Sequence, residues 1–132
     1  MRVVLDTNVI VSAFLNLFGT PARILHLILQ GDIEIIFDER IIMEYEIVLC
    51  RPKFKLFKED VHSIVEVLRD TGISAPAYNS SVDLPDKGDE PFLEVALTSK
   101  ADAIVTGNKR HFPKDKCEGI RIVSPREFMK LL

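Results

Sequence analysis

The chain predicts a three-layer α/β/α domain, residues 1–132 as one unit, built on a central parallel sheet of about five strands. Short β-branched runs alternate with apolar stripes of helical period along its whole length, the pattern of strands joined by helices. Its 132 residues, 47% hydrophobic and 28% charged, suit a folded core rather than a disordered or fibrous chain. Asp6-Thr7-Asn8 follows the first run, Val3-Val4-Leu5, directly, and in open α/β sheets ligands gather at the carboxyl ends of such strands.

The elements follow in order. Val3–Leu5 is apolar enough for a strand buried on both faces. Thr20 is placed to cap a helix with Pro21 at its first position, and Ile24, Leu25, Ile28 and Leu29 form one stripe before Gly31. Ile33–Phe37 reads as the second strand, and Asp38 as the cap of a helix turning Ile41, Tyr45, Val48 and Leu49 inward until Arg51-Pro52 ends it. Glu59 and Asp60 suit the positive end of the next helix, whose stripe is Val61, Ile64, Val65 and Leu68 and whose stop is Gly72.

Residues 73–78 form a candidate third strand, and 79–88 a loop rich in Asn, Ser, Asp, Pro and Gly. Asp89 is placed to cap a helix with Pro91 in its first turn and Phe92, Leu93, Ala96 and Leu97 facing the core. Ala103–Val105 and Ile120–Val123 supply the last strands, and Ser124-Pro125-Arg126-Glu127 is a capping box opening a helix through Phe128 and Leu131. No repeat or low-complexity tract interrupts this order.

Seventeen basic residues against twenty acidic ones give a net charge of −3, so the molecule as a whole does not attract a polyanion. A local patch could: Arg51, Lys53, Lys55 and Lys58 interleave with Phe54 and Phe57, pairing phosphates and offering stacking faces. A solvated loop between two helices is the competing account. Met1-Arg2 leads at once into a strand that Asp6 interrupts too early for an export signal or membrane span, so a cytoplasmic location is expected. Cys50 and Cys117 lack zinc-ligand spacing and read as free thiols.

Taken alone, Asp6-Thr7-Asn8 is as well explained by turn and cap duty as by chemistry. The downstream acids change that balance. Asp86, Asp89 and the residues after Ala103-Ile104-Val105 fall where a helix begins or a strand ends, Glu44 lies within the Asp38-capped helix, and acids converging on one sheet edge suggest a site for a hard divalent cation. Helical period alone does not decide between Glu44 and Glu46, since both have apolar neighbours one turn away.

Val3-Val4-Leu5-Asp6-Thr7-Asn8, Glu44 on the Asp38-capped helix, Asp86-x-x-Asp89 before Phe92-Leu93, and Ile104-Val105-Thr106-Gly107-Asn108, in that order, resemble the PIN-domain nucleases over essentially the full chain. Arg51-Pro52-Lys53-Phe54 and Thr106-Gly107-Asn108-Lys109-Arg110-His111-Phe112 look like the bacterial and archaeal branch of toxin–antitoxin toxins. The resemblance implies a ribonuclease acting on single-stranded RNA with Mg²⁺ or Mn²⁺, an antitoxin partner and self-association. It assigns catalysis to Asp6, Glu44 and Asp89 and cation binding to these with Asp86 and Asn108. Thr7, Asn8, Ser12 and Thr106 would orient the acids or a bound water, although turn duty accounts for Ser12 equally well. Arg51, Lys53, Lys55, Lys109 and Arg110 would meet RNA.

Asn108 departs from the family pattern, in which many members carry Asp there, and the lost charge predicts weaker hold on a second cation. His26 and His62 read as structural, and His111 as no more than a phosphate contact. Two rivals stand beside the nuclease. One is a non-catalytic RNA-binding or scaffold module that keeps the shell but lacks an acid at Asn108. The other, weaker, is a haloacid-dehalogenase-like phosphatase, which needs a second Asp where this chain has Asn8.

Overall fold

Five strands, all parallel, line up in the order β3-β2-β1-β4-β5 in the computed structural model, which describes residues 1–76 and 82–132. They are β1 (Arg2–Leu5), β2 (Glu34–Phe37), β3 (Ile73–Ser74), β4 (Ala103–Val105) and β5 (Ile122–Val123). Val3 pairs with Ile35 on one side and Ala103 on the other, so β1 is the middle of the sheet. Its Val3, Val4 and Leu5 have essentially no exposure, as a strand covered on both faces requires.

The helices are α1 (Thr7–Leu15), α2 (Thr20–Leu29), α3 (Glu39–Leu49), α4 (Lys58–Thr71), α5 (Glu90–Ser99) and α6 (Pro125–Met129). The chain steps from β1 to β2 to β3 through α1 to α4, then returns over the sheet through α5 to β4. Right-handed connections in opposite directions put their helices on opposite faces. Accordingly α5 lies across β1, β2 and β4, while α2 packs with α1, α4 and α6. The reversal of direction between β1 and β4 opens a crevice at their carboxyl ends.

Helix α1 is the element that the sequence reading lacks. Its Val9-Ile10-Val11 run looks strand-like by propensity, but Val9, Ile10 and Ala13 share one buried face, and packing overrides the weak preference. Other differences are small. Gly19, not Thr20, holds the N-cap of α2, β2 starts one residue later, and α6 stops at Met129 short of Leu131. Strand β5 is Ile122–Val123 rather than 120–123, and β3 is Ile73–Ser74, with residues 77–81 of the predicted strand and loop outside the described part.

Asp38 caps α3 through Ile41 N–H, and Ser124 with Glu127 closes the capping box of α6, both as expected. The backbone turns to an extended conformation at Gly72, ending α4, and nothing larger fits there: a Cβ would lie 2.7 Å from Phe37 Cε1 and 2.8 Å from the Ile35 carbonyl oxygen. Tyr45, Phe37, Phe92, Phe112 and Phe128 are the largest wholly buried side chains. Cys50 and Cys117 are unbridged. Among the described residues no single helix is long and apolar enough to cross a membrane.

Candidate functional site

Asp6 leaves the sheet where β1 and β4 end, its backbone N–H still bonded to the Val105 carbonyl at 2.9 Å. That bond fixes where the side chain starts. Thr106, the residue after β4, donates its hydroxyl to Asp6 Oδ2 at 2.8 Å, and the next residue, Gly107, donates its N–H to Asn8 Oδ1 at 3.0 Å. Below them Tyr45, wholly buried on α3, donates its hydroxyl to the Leu5 carbonyl at 2.6 Å. Burial, then the charges of Asp6, Glu44 and Asp38, hold that phenol well above its ordinary range, so it stays a donor.

Asp6 and Asp89 sit at the N-caps of α1 and α5, yet neither side chain makes a capping hydrogen bond. Asp38, Asp86, Asn108 and Ser124 all do at their own helix starts. The two non-capping carboxylates instead meet His111, all three presenting ligand atoms within 4.8 Å of one another; among the described residues they are the one group of this kind. Asp6 is 5% and Asp89 9% exposed. Asp89 Oδ2 is buried without a hydrogen bond, and His111 Nδ1 lies 3.4 Å from it.

Burial raises the Asp6 carboxyl above its usual range, against the Thr106 hydroxyl, the Thr7 main chain and His111. Asp89 is pushed up to about 6, by burial first and then by the negative charge of Asp6, with His111 opposing and Asp86 and Glu44 adding to the rise. Two buried acids that resist ionising together, one with an orphaned oxygen, are the donor set that a divalent cation would satisfy. The residues present therefore fit such an ion.

Glu44 faces the same cleft from α3, and Thr7 donates its hydroxyl to Glu44 Oε2. It stands outside the close trio. Glu46 points elsewhere, its carboxylate 3.0 Å from His62 Nδ1 on α4. Of the two helix acids that periodicity left open, Glu44 lines the cleft and Glu46 faces His62.

The cleft encloses about 430 Å³, and Ser12, Arg51 and Phe54 also line it. Lys53 lies over the Phe54 ring at 5.1 Å, and Lys55 follows in a left-handed turn. Lys109 turns to Glu127 at 2.9 Å, and Arg110 is exposed beside it. Asp86 accepts Gly88 N–H, and Asn108 accepts Arg110 N–H while its Nδ2 lies 3.1 Å from His111 Nε2. His111 and Tyr45 are the participants that the sequence reading did not place here. A His three residues after a capping Asn, across one short turn, is the signal that pointed to the first; a lone Tyr in a core stripe gives none.

The PIN domain family matches residues 2–110 of the chain. An uncharacterized protein of Methanocaldococcus jannaschii, MJ1680, is 28% identical over 141 aligned positions, covering 98% of this chain and 90% of that one. A crystal structure of VapBC2 from Rickettsia felis, bound to a DNA fragment from its promoter, superposes with a TM-score of 0.67 and 17% identity over 94% of this chain and 98% of its own.

Proposed function

The chain belongs to the PIN-domain family, and from that premise we propose that it is a divalent-cation-dependent endoribonuclease, the toxin of a toxin–antitoxin pair, cutting single-stranded RNA in the cytoplasm. The observation that carries this reading is the convergence of Asp6, Glu44 and Asp89, from three remote segments, on one cleft at the β1–β4 crevice. When bound, a Mg²⁺ or Mn²⁺ ion supplies polarisation of a phosphoryl oxygen and a lowered pKa for an attacking water.

The chain's own residues do the rest. Asp6 and Asp89 hold the ion, with Thr106 fixing the Asp6 rotamer, Thr7 orienting Glu44, and Asn8 tying the β4 turn to α1. Glu44 keeps the opposite wall negative. Arg51 at the same cleft pairs a phosphate, and Phe54, backed by Lys53, offers a base a stacking face. In-line attack by water leaves a 5′-phosphate and a 3′-hydroxyl. Two residues after Asp6, where a haloacid-dehalogenase-like phosphatase needs its proton-donating Asp, this chain has the amide Asn8, whose oxygen accepts Gly107 N–H.

Support for an antitoxin comes from the VapBC2 likeness in fold and from Leu17 and Phe18 between α1 and α2, 74% and 96% exposed, apolar surface that a partner or a second copy would cover. The test of activity is labelled single-stranded RNA with Mn²⁺, Mg²⁺ or chelator. Asp6→Asn should lower cation-dependent cleavage by more than about 100-fold with folding intact. Unchanged RNA in every lane, or cleavage indifferent to Asp6→Asn and to chelator, replaces the enzyme by the scaffold reading.

A further inference from the structure

Asp6 and Asp89 bring two carboxylates to the cation position, and the donor that completes their close group is a ring nitrogen rather than a third acid. Glu44, whose carboxylate accepts the Thr7 hydroxyl, and Asp86, which caps its own short turn, both lie outside that group, and Asn108 is neutral. His111 is not a free surface histidine. Its Nε2 meets the Asn108 carboxamide at 3.1 Å, which leaves Nδ1 facing Asp89 Oδ2 at 3.4 Å. Asp89 Oδ2 itself is buried and without a hydrogen bond.

The spacing suits shared ligation. Around a six-coordinate ion with bonds of about 2.1 Å, adjacent donors lie about 3 Å apart and opposite ones about 4.2 Å. The 3.4 Å between Nδ1 and Oδ2 falls inside that span, and the trio as a whole, within 4.8 Å, needs its widest pair to close by no more than about 0.6 Å to share one ion. A ligating imidazole commonly donates its other N–H to an acceptor; Asn108 stands in that place with Nδ2 toward Nε2 and Oδ1 accepting Arg110 N–H, so ligation through Nδ1 comes with a turn of the carboxamide that brings its oxygen to Nε2–H.

We infer that His111 Nδ1 is a direct ligand of the catalytic cation, with Asp6 and Asp89, and that this mixed oxygen–nitrogen set favours first-row transition ions over Mg²⁺. The inference rests on the metal-dependent reading above and adds the identity of its third ligand. Its physical basis is ligand chemistry: Mg²⁺ is best served by oxygen donors, whereas imidazole raises affinity along the series from Mn²⁺ to Co²⁺ and Zn²⁺. Asn108 then acts as a positioning residue for the ring.

The experiment uses the purified full chain stripped of metal. Calorimetric titration with Mn²⁺, Co²⁺ and Mg²⁺ gives three affinities, and pulsed EPR of the Mn²⁺-loaded protein reads nitrogen coupling at the metal without any variant. Wild type should show imidazole nitrogen coupling. In His111→Ala, whose circular dichroism is checked for folding, that coupling should vanish and Co²⁺ affinity should drop at least about 10-fold, with Mg²⁺ affinity moving far less. Asn108→Asp should keep the coupling. Tight Mn²⁺ binding without nitrogen coupling, or an equal loss for all three ions in His111→Ala, overturns the inference and leaves the nuclease reading standing. Failure of wild type to bind any of the three ions overturns both.

Discussion

Replacing Asp89 by Asn removes a carboxylate from the point where burial and the neighbouring Asp6 charge both oppose its ionisation. The folded protein keeps the Asp89 proton up to about 6 against an ordinary 3.8. At about 1.4 kcal/mol per pH unit, ionised Asp89 is disfavoured in the fold by about 3 kcal/mol at neutral pH. Loss of the attraction to His111 and partial solvent screening reduce the gain from substitution to about 1–3 kcal/mol. An Asn here can also donate to Asp6, which a second carboxylate cannot.

The sign follows from the raised value. Well below 3.8, by about pH 2.5, Asp89 is protonated in both folded and unfolded chains, so wild type and Asp89→Asn should be equally stable. As pH climbs toward about 6 the unfolded chain ionises first, wild type loses stability, and the gap opens to a plateau above about 7. Urea unfolding in chelator, followed by far-ultraviolet circular dichroism because the chain has no Trp, measures it at both ends. Excess Mn²⁺ should reverse the order, since an ion at 100 times its Kd stabilises the wild-type fold by about 2.7 kcal/mol and the variant by little. A variant no more stable than wild type in chelator near neutral pH, or a gap of the same size in acid, refutes the claim that the acid pair is strained without a cation.

Three further substitutions probe the support of the site. Tyr45→Phe deletes the buried donor to the Leu5 carbonyl and should cost about 1–2 kcal/mol in urea unfolding, a shift in midpoint that would be absent if the hydroxyl were idle. Gly72→Ala drives a methyl group against Phe37 and the Ile35 carbonyl oxygen and should destabilise by about 1–3 kcal/mol; an unchanged thermal midpoint would mean the α4–β3 junction gives way freely. Arg40 bridges two buried acids, Asp38 at 2.7 Å and Glu94 at 3.1 Å, so Arg40→Met should cost about 1–3 kcal/mol, and a double-mutant cycle with Glu94→Gln should return a coupling above about 0.5 kcal/mol.

The sheet was legible because its strands are buried on both faces and their residues leave no alternative: Val3-Val4-Leu5 and Ala103-Ile104-Val105 pair side by side. Helix boundaries written in single residues, the starts at Asp38 and Ser124 and the stop at Gly72, were legible too, since each does its work within four positions. Helix α1 was not, because Val9-Ile10-Val11 has strand-like propensity and becomes helical by packing against α2 and α3. Of the site, Asp6, Glu44 and Asp89 were named from motif order, whereas His111 gave a sequence signal too weak to separate a ligand from a surface turn.

What separates a chemical acid from a capping one in this chain is settled by tertiary neighbours and so cannot be written in any local motif. Asp6, Asp38, Asp86, Asp89 and Asn108 all stand at the starts of helical segments, and by sequence each is an equally good cap. Asp38 and Asp86 satisfy the first-turn N–H groups of their own segments, and Asn108 does the same for Arg110. Asp6 is drawn off that duty by the Thr106 hydroxyl, delivered by a strand 100 residues away. Asp89 is drawn off by backbone geometry, because its helical φ and ψ of −86° and −14° turn the carboxylate away from the α5 amides and toward Asp6. Each acid that leaves a cap forgoes about 1 kcal/mol of helix stabilisation, and two of them placed together repel. A fold that accepts both losses at the one crevice between β1 and β4 has gathered two carboxylates free of capping duty in a place fit for a cation.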